Sequence, residues 1–117
     1  MSKTRIVVGV TVPFSLILFR KRLSALCDHG WDVHVVVGEP IPPDFAQDSR
    51  ITTHLIPMKR GLSPFGDLVA LFRWVRQLRS LAPAIVLGAT PKAGLLSMLA
   101  GKIDRVPQRV FEVWGAR

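Results

Sequence analysis

The chain has 117 residues, 49% of them hydrophobic and 21% charged, which suits one domain of ordinary size and excludes a disordered, low-complexity or collagen-like polypeptide. Sixteen Lys and Arg against eight Asp and Glu give a net charge of +8, a balance that draws phosphate-bearing partners: nucleic acid, anionic lipid or diphosphate-linked substrates. The single cysteine, Cys27, excludes an internal disulfide and suits a reducing compartment.

Met1 to Phe19 has a charged start, Lys3 and Arg5, and then an uncharged run from Ile6 to Phe19. Pro13 interrupts the run, Arg20-Lys21-Arg22 follow it at once, and no small-x-small cleavage site is present, so it does not read as a secretory signal. It is also shorter than the ~20 apolar residues that span a bilayer. Arg5 to Val10 is instead a continuous β-branched run, the mark of a strand covered on both faces. Ser15 to His29 reads as a helix ending at Gly30, with Leu16, Phe19, Leu23, Leu26 and Cys27 on one side. Asp32 to Val37 is a second buried strand. Gly38 to Arg50 holds Pro40, Pro42 and Pro43 and reads as a loop. Ile51 to Ile56 is a third strand.

Ser63 and Pro64 then open a helix as N-cap and first helical residue, with Asp67 favouring its positive end. Leu68, Leu71, Phe72, Val75 and Leu78 give this helix an apolar stripe, Arg73, Arg76 and Arg79 a charged face, and Pro83 closes it. Ala84 to Gly88 is a fourth strand, Pro91 to Asp104 a third helix, and Gln108 to Val113 a fifth strand. Strands alternating with amphipathic helices predict an α/β, Rossmann-like three-layer sandwich. Its five-stranded parallel sheet takes the order 3-2-1-4-5 under right-handed crossovers.

In such a sheet ligands bind beyond the carboxyl ends of the strands. The loops there are Thr11-Val12-Pro13-Phe14, Gly38 to Arg50, Met58 to Leu62, Ala89 to Lys92 and Trp114 to Arg117. The most informative is Thr90-Pro91-Lys92-Ala93-Gly94. Thr90 can cap the helix and Pro91 fits its first position. The free N–H groups then face whatever binds above the sheet, next to the cation of Lys92. Gly94 lets a ligand or another backbone approach closely. The same pattern also describes a well-capped helix in any α/β domain.

Several chemistries are absent. The first strand–helix turn, Gly9-Val10-Thr11-Val12-Pro13-Phe14, is not G-x-G-x-x-G, and no G-x-x-x-x-G-K-[ST] or G-x-S-x-G occurs. His29, His34 and His54 share no metal-ligand spacing and read as structural. No metal or cofactor is expected. Aromatic-basic interleaving and a helix-turn-helix pattern are also missing, so no nucleic-acid partner is expected and a basic nucleic-acid-binding domain is the weakest reading.

Five segments resemble, in order, the bacterial family 4 glycosyltransferases of the capsule, O-antigen and exopolysaccharide type. They are Thr11-Val12-Pro13-Phe14-Ser15-Leu16, Gly30-Trp31-Asp32-Val33-His34-Val35-Val36, Ile56-Pro57-Met58-Lys59-Arg60-Gly61-Leu62-Ser63-Pro64, Thr90-Pro91-Lys92-Ala93-Gly94-Leu95 and Val106-Pro107. The resemblance covers nearly the whole chain. It implies the GT-B fold, two Rossmann-like domains facing across a cleft, of which residues 1–117 would be a single, incomplete amino-terminal, acceptor-side domain. The donor-binding carboxy-terminal domain would be missing. That domain often grips the nucleotide-sugar through two glutamates eight positions apart, whereas the two glutamates here are Glu39 and Glu112.

What the resemblance implies is transfer of a sugar from a nucleotide-sugar to a lipid-linked glycan acceptor in surface polysaccharide biosynthesis, with this chain inactive alone and holding no catalytic residue. Pro13, Phe14 and Ser15, beside Thr11, would line the acceptor side. Thr90, Lys92, Ala93 and Gly94, then Arg60 and Gly61, would face the cleft, with Trp114 and Arg117 near the donor sugar. The chain departs from the family pattern at Leu87-Gly88-Ala89, where a His-x-His is common, and at Trp114, where a His is common. The alternative is a non-catalytic subunit of a split enzyme. A cytoplasmic place is implied, with peripheral contact at the inner membrane face through Pro13 to Phe19 and Arg20-Lys21-Arg22. Part of the sheet near Val110, Glu112 and Trp114 is expected to be exposed or covered by another chain.

Overall fold

Uninterrupted Val-rich runs have no polar side to turn to water, so they are stable only between two layers. The computed structural model, which describes residues 4–11, 14–40, 50–58, 64–89 and 91–111, arranges them in that way. The elements are β1 (Arg5–Val10), α1 (Phe14–Asp28), β2 (Asp32–Val37), β3 (Thr52–Leu55), α2 (Pro64–Leu81), β4 (Ile85–Gly88), α3 (Pro91–Ile103) and β5 (Gln108–Phe111). All four pairings are parallel and the order is β3-β2-β1-β4-β5, as the sequence predicts. The predicted fifth strand runs to Val113; its last two residues lie outside the described part.

Successive side chains of each strand feed opposite cores. Ile6, Val8 and Val10 join Val33, Val35 and Val37 beneath Leu23 and Cys27 of α1. Val7, Val36 and Val86 face Trp74 and Leu78 of α2 and Ala93 and Leu96 of α3. Two close approaches set the spacing of the second layer. The Trp74 indole lies over Gly9, and α3 presses on β4 where Gly88 meets Gly94 and Ser97. The Ser97 hydroxyl is buried and donates to the Gly94 carbonyl at 3.1 Å.

The α2 stripe differs from the expected one. Ala70, Trp74, Leu78 and Leu81 form the buried face. Leu71 and Val75 are half-buried, and Leu68 and Phe72 are 65% and 62% exposed. The apolar arc of this helix is wider than one core-facing stripe, and the bulk of Trp74 decides which part goes inside. Val110 and Phe111 of β5 are exposed, as expected of the sheet at that edge; Glu112 and Trp114 lie outside the described residues.

Each helix stops by satisfying its last carbonyls. After α1, Gly30 (φ 90°) donates to Cys27 and Trp31 donates to Leu26, both at 3.0 Å. After α2, Ala82 donates to Leu78 at 2.8 Å ahead of Pro83. Arg5 adds a bond to the Leu81 carbonyl at 2.7 Å, placing a cation on the negative end of the dipole. The same guanidinium donates to Asp32 at 2.9 Å.

From Asp32 a polar chain crosses the sheet face under α2. His34 Nε2 lies 3.2 Å from Asp32 Oδ1 but lacks a hydrogen bond, so the contact acts through charge rather than direction. His34 Nδ1 and His54 Nε2 share one hydrogen bond of 2.9 Å. Burial alone would raise the Asp32 carboxyl. The Arg5 bond, the His34 contact and both positive charges outweigh it and hold the group below its ordinary 3.8. Burial, then the neighbouring His34, hold His54 below its ordinary 6.5.

Two outcomes follow for folding. Gly88→Ala places a Cβ against Ser97 Oγ and the Gly94 Cα and is expected to cost about 1–3 kcal/mol in urea denaturation; an unchanged midpoint would refute the close-packing account. Acid acts in two windows. The unfolded chain takes a proton on His54 before the folded one does, so stability is flat above pH 6.5 and declines below it. The Asp32 contribution is kept above pH 3.8 and lost beneath it. His54→Gln should flatten the first decline in thermal melts between pH 7.5 and 5; an unaltered slope contradicts the assignment.

Candidate functional site

Reversal of the winding direction between β1 and β4 leaves a crevice above their carboxyl ends. On β1 the chain leaves as Thr11, which is buried and whose carbonyl accepts the Gly38 N–H at 3.0 Å. On β4 it leaves as Ala89, fully buried, whose N–H bonds to the Gly9 carbonyl at 2.9 Å. Pro91 then begins α3, so that the first turn of this helix stands over the junction of the two strands. The first N–H groups of a helix have no partner within it and carry the positive end of its dipole.

Lys92 sits in that first turn, where a cation is disfavoured by the dipole. Its ammonium is 2.6 Å from Asp67 Oδ1, in the first turn of α2, and the two side chains are only 11% and 24% exposed. The pair therefore neutralises Lys92 and fastens the starts of the two helices together. Sequence reading assigned Asp67 to the dipole of α2 alone; nothing in the chain order reveals that its partner lies 25 positions away. Ala93 is fully buried. Gly94 meets the Phe111 ring on one side, where any Cβ would collide with it, and the backbone of Gly88 meets it on another. The close approach expected at Gly94 is thus made by protein.

The structure brings Thr11, Lys92, Ala93 and Gly94 to one pole. Pro13, Arg60, Gly61, Thr90, Trp114 and Arg117 lie outside the described residues, as do the side chains of Phe14 and Ser15. The largest groove, about 870 Å3, is at the other pole, lined by Arg5, Asp32, Arg79, Asp104 and Arg105 among others. Its charges are tied up internally, Arg5 with Asp32 and Arg79 with Asp104, and α2 and α3 turn their negative ends to it. Topology therefore favours the Lys92 pole over the larger hollow. Among the described residues no group of three His, Cys, Asp or Glu could hold a metal ion, and no helix is long and apolar enough to cross a membrane.

Comparison with known proteins agrees with this topology. A capsular polysaccharide biosynthesis glycosyltransferase, CapM of Staphylococcus aureus, is 35% identical over 108 residues, which is 92% of this chain and 28% of CapM. The chain thus spans less than a third of the length of that relative. MurG of Acinetobacter baumannii has the same fold at 19% identity, with a TM-score of 0.66 over 92% of this chain and 34% of MurG. The lipopolysaccharide outer core galactosyltransferase WaaB has it at 12% identity, with a TM-score of 0.66 over 93% of this chain and 32% of WaaB. The model of the glycosyl transferase 4-like domain matches residues 19–117, and the chain belongs to that family.

Proposed function

We propose that this chain is the acceptor-side part of a glycosyltransferase that moves a sugar from a nucleotide-sugar to a lipid-linked glycan in surface polysaccharide biosynthesis. One observation carries the reading: the first turn of α3 stands over the carboxyl ends of β1 and β4 in a chain 35% identical to a capsular polysaccharide glycosyltransferase. The donor-gripping half is a further domain or a separate subunit. The chain by itself transfers nothing, and the work is done at the inner face of the cytoplasmic membrane.

Glycosyl transfer has two needs. The leaving diphosphate must be stabilised, and the acceptor hydroxyl must be held against the anomeric carbon. The amides at Ala93 and Gly94 supply the first, through the dipole of α3. Lys92, set against Asp67, adds a cation that costs no reorganisation because the ion pair already fixes it. Arg60 with Gly61, and Arg117, are further cations and amides for the same charge. Thr11, Pro13, Phe14 and Ser15 line the acceptor side, and Trp114 stacks on a sugar face.

The test separates chemistry from scaffolding. The chain alone should give no product with any nucleotide-sugar; turnover by the isolated polypeptide would defeat the reading. In the complete two-part enzyme, Lys92→Gln and Asp67→Asn each break the ion pair and should cost about 2 kcal/mol of stability. Only Lys92→Gln should also lower kcat, by about 100-fold. Equal loss of kcat in both variants would make Lys92 a clamp between helices and nothing more.

A further inference from the structure

We infer that the outer face of α2 is a docking surface for an anionic lipid bilayer. The inference deepens the membrane contact proposed above and rests on it. Phe65, Leu68, Val69 and Phe72 recur at three- and four-residue steps on one side of this helix and are 85%, 65%, 54% and 62% exposed. Arg73, Arg76 and Arg79 continue the same side toward the carboxyl end, and all three are exposed. The only acidic residue of α2 is Asp67, which points to Lys92.

Beside this face runs an apolar groove of about 600 Å3, lined by Leu68, Val69, Leu71, Phe72, Val75 and Ile103. Leu95 and Leu99 of α3 extend the apolar surface beyond it, at 56% and 43% exposure. Single exposed apolar residues are ordinary; a contiguous patch of this size marks a surface meant to be covered.

Charge decides what covers it. Among the described residues neither Arg73 nor Arg76 is in an ion pair, and the Arg76 guanidinium lies over the Phe72 ring at 5.9 Å. A protein laid on this face would have to bury those cations or bring carboxylates to each. An anionic bilayer offers hydrocarbon at the depth of the phenylalanines and phosphates at the level of the arginines, with no residue on the face to repel it. The placement also serves the chemistry. The apolar end of α2 is the end that Asp67 ties to Lys92, so a lipid-borne acceptor lying along the helix would arrive at the crest of the sheet.

Sedimentation with vesicles tests this, using the complete enzyme at low salt and two compositions, phosphatidylcholine alone and phosphatidylcholine with 30% phosphatidylglycerol. Binding is expected only to the anionic vesicles and should fade in 1 M NaCl, where charges are screened within about 3 Å. Arg73→Ser with Arg76→Ser should weaken it about 30-fold, from about fivefold per arginine. Phe65→Gln with Leu68→Gln should weaken it at least tenfold. Both pairs are exposed, and unchanged circular dichroism confirms folding. Wild-type binding to anionic vesicles that both double variants retain would overturn the assignment to α2 while leaving membrane contact in place. No binding by the wild type would overturn both, without touching glycosyl transfer, which is assayed on a soluble acceptor. A dimer in analytical ultracentrifugation that Phe65→Gln with Leu68→Gln dissociates would give the face to a second copy and overturn the bilayer.

Discussion

Strand β1 has a parallel neighbour on each edge and a packed layer on each face, and the rest of the molecule is arranged around that constraint. A strand so placed can hold no polar side chain without a partner, which is why it reads Ile-Val-Val-Gly-Val after Arg5. Its one glycine admits the Trp74 ring. Because β2 lies on one side and β4 on the other, the chain must reverse its direction of winding at β1. The reversal sends α1 to one face and α2 with α3 to the other, and it opens the crevice over the β1 and β4 ends. The location of the proposed site is thus a consequence of strand order, not of any one motif.

What stands at that crevice is a helix start whose charge is already balanced. Lys92 and Asp67 reconcile two opposing demands. The dipole of α3 disfavours a cation in its first turn, and the dipole of α2 favours an anion in its own. Pairing them across the layer removes the conflict and fixes the angle between the helices at the pole where a ligand would sit. A buried ion pair is weak evidence of stability by itself. Here its value is in position: it holds an ammonium, with its fixed orientation, within reach of the strand ends.

Much of the fold could be read from the chain because the local signals agree with one another. The Val-rich runs, Gly30 after α1, Pro64 and Pro91 at helix starts and Pro83 after α2 all fall where the structure uses them. Strand order followed from handedness alone. Contacts between elements were not legible. The Lys92–Asp67 pair depends on how α2 and α3 slide past each other, and the His34–His54 bond depends on a register that pairs His34 with Thr52. The Phe111 ring over Gly94 depends on β5 ending level with the start of α3. The apolar stripe of α2 misled for a related reason. Trp74 and Ala70 together make a deeper fit to the sheet than Leu68 and Phe72 could, and periodicity does not weigh shape. The residues it misassigned are the ones left on the surface.

The central claim is that the first turn of α3 receives the diphosphate of the donor. Amide NMR of the complete two-part enzyme, isotope-labelled in this chain and titrated with UDP, GDP or TDP, addresses it directly. The Lys92, Ala93 and Gly94 amides should shift with the nucleotide that the enzyme uses, together with Thr11 at the end of β1. Shifts confined to the opposite pole, around Arg5, Asp32 and Asp104, or no shift in α3 when the nucleotide binds, would contradict it.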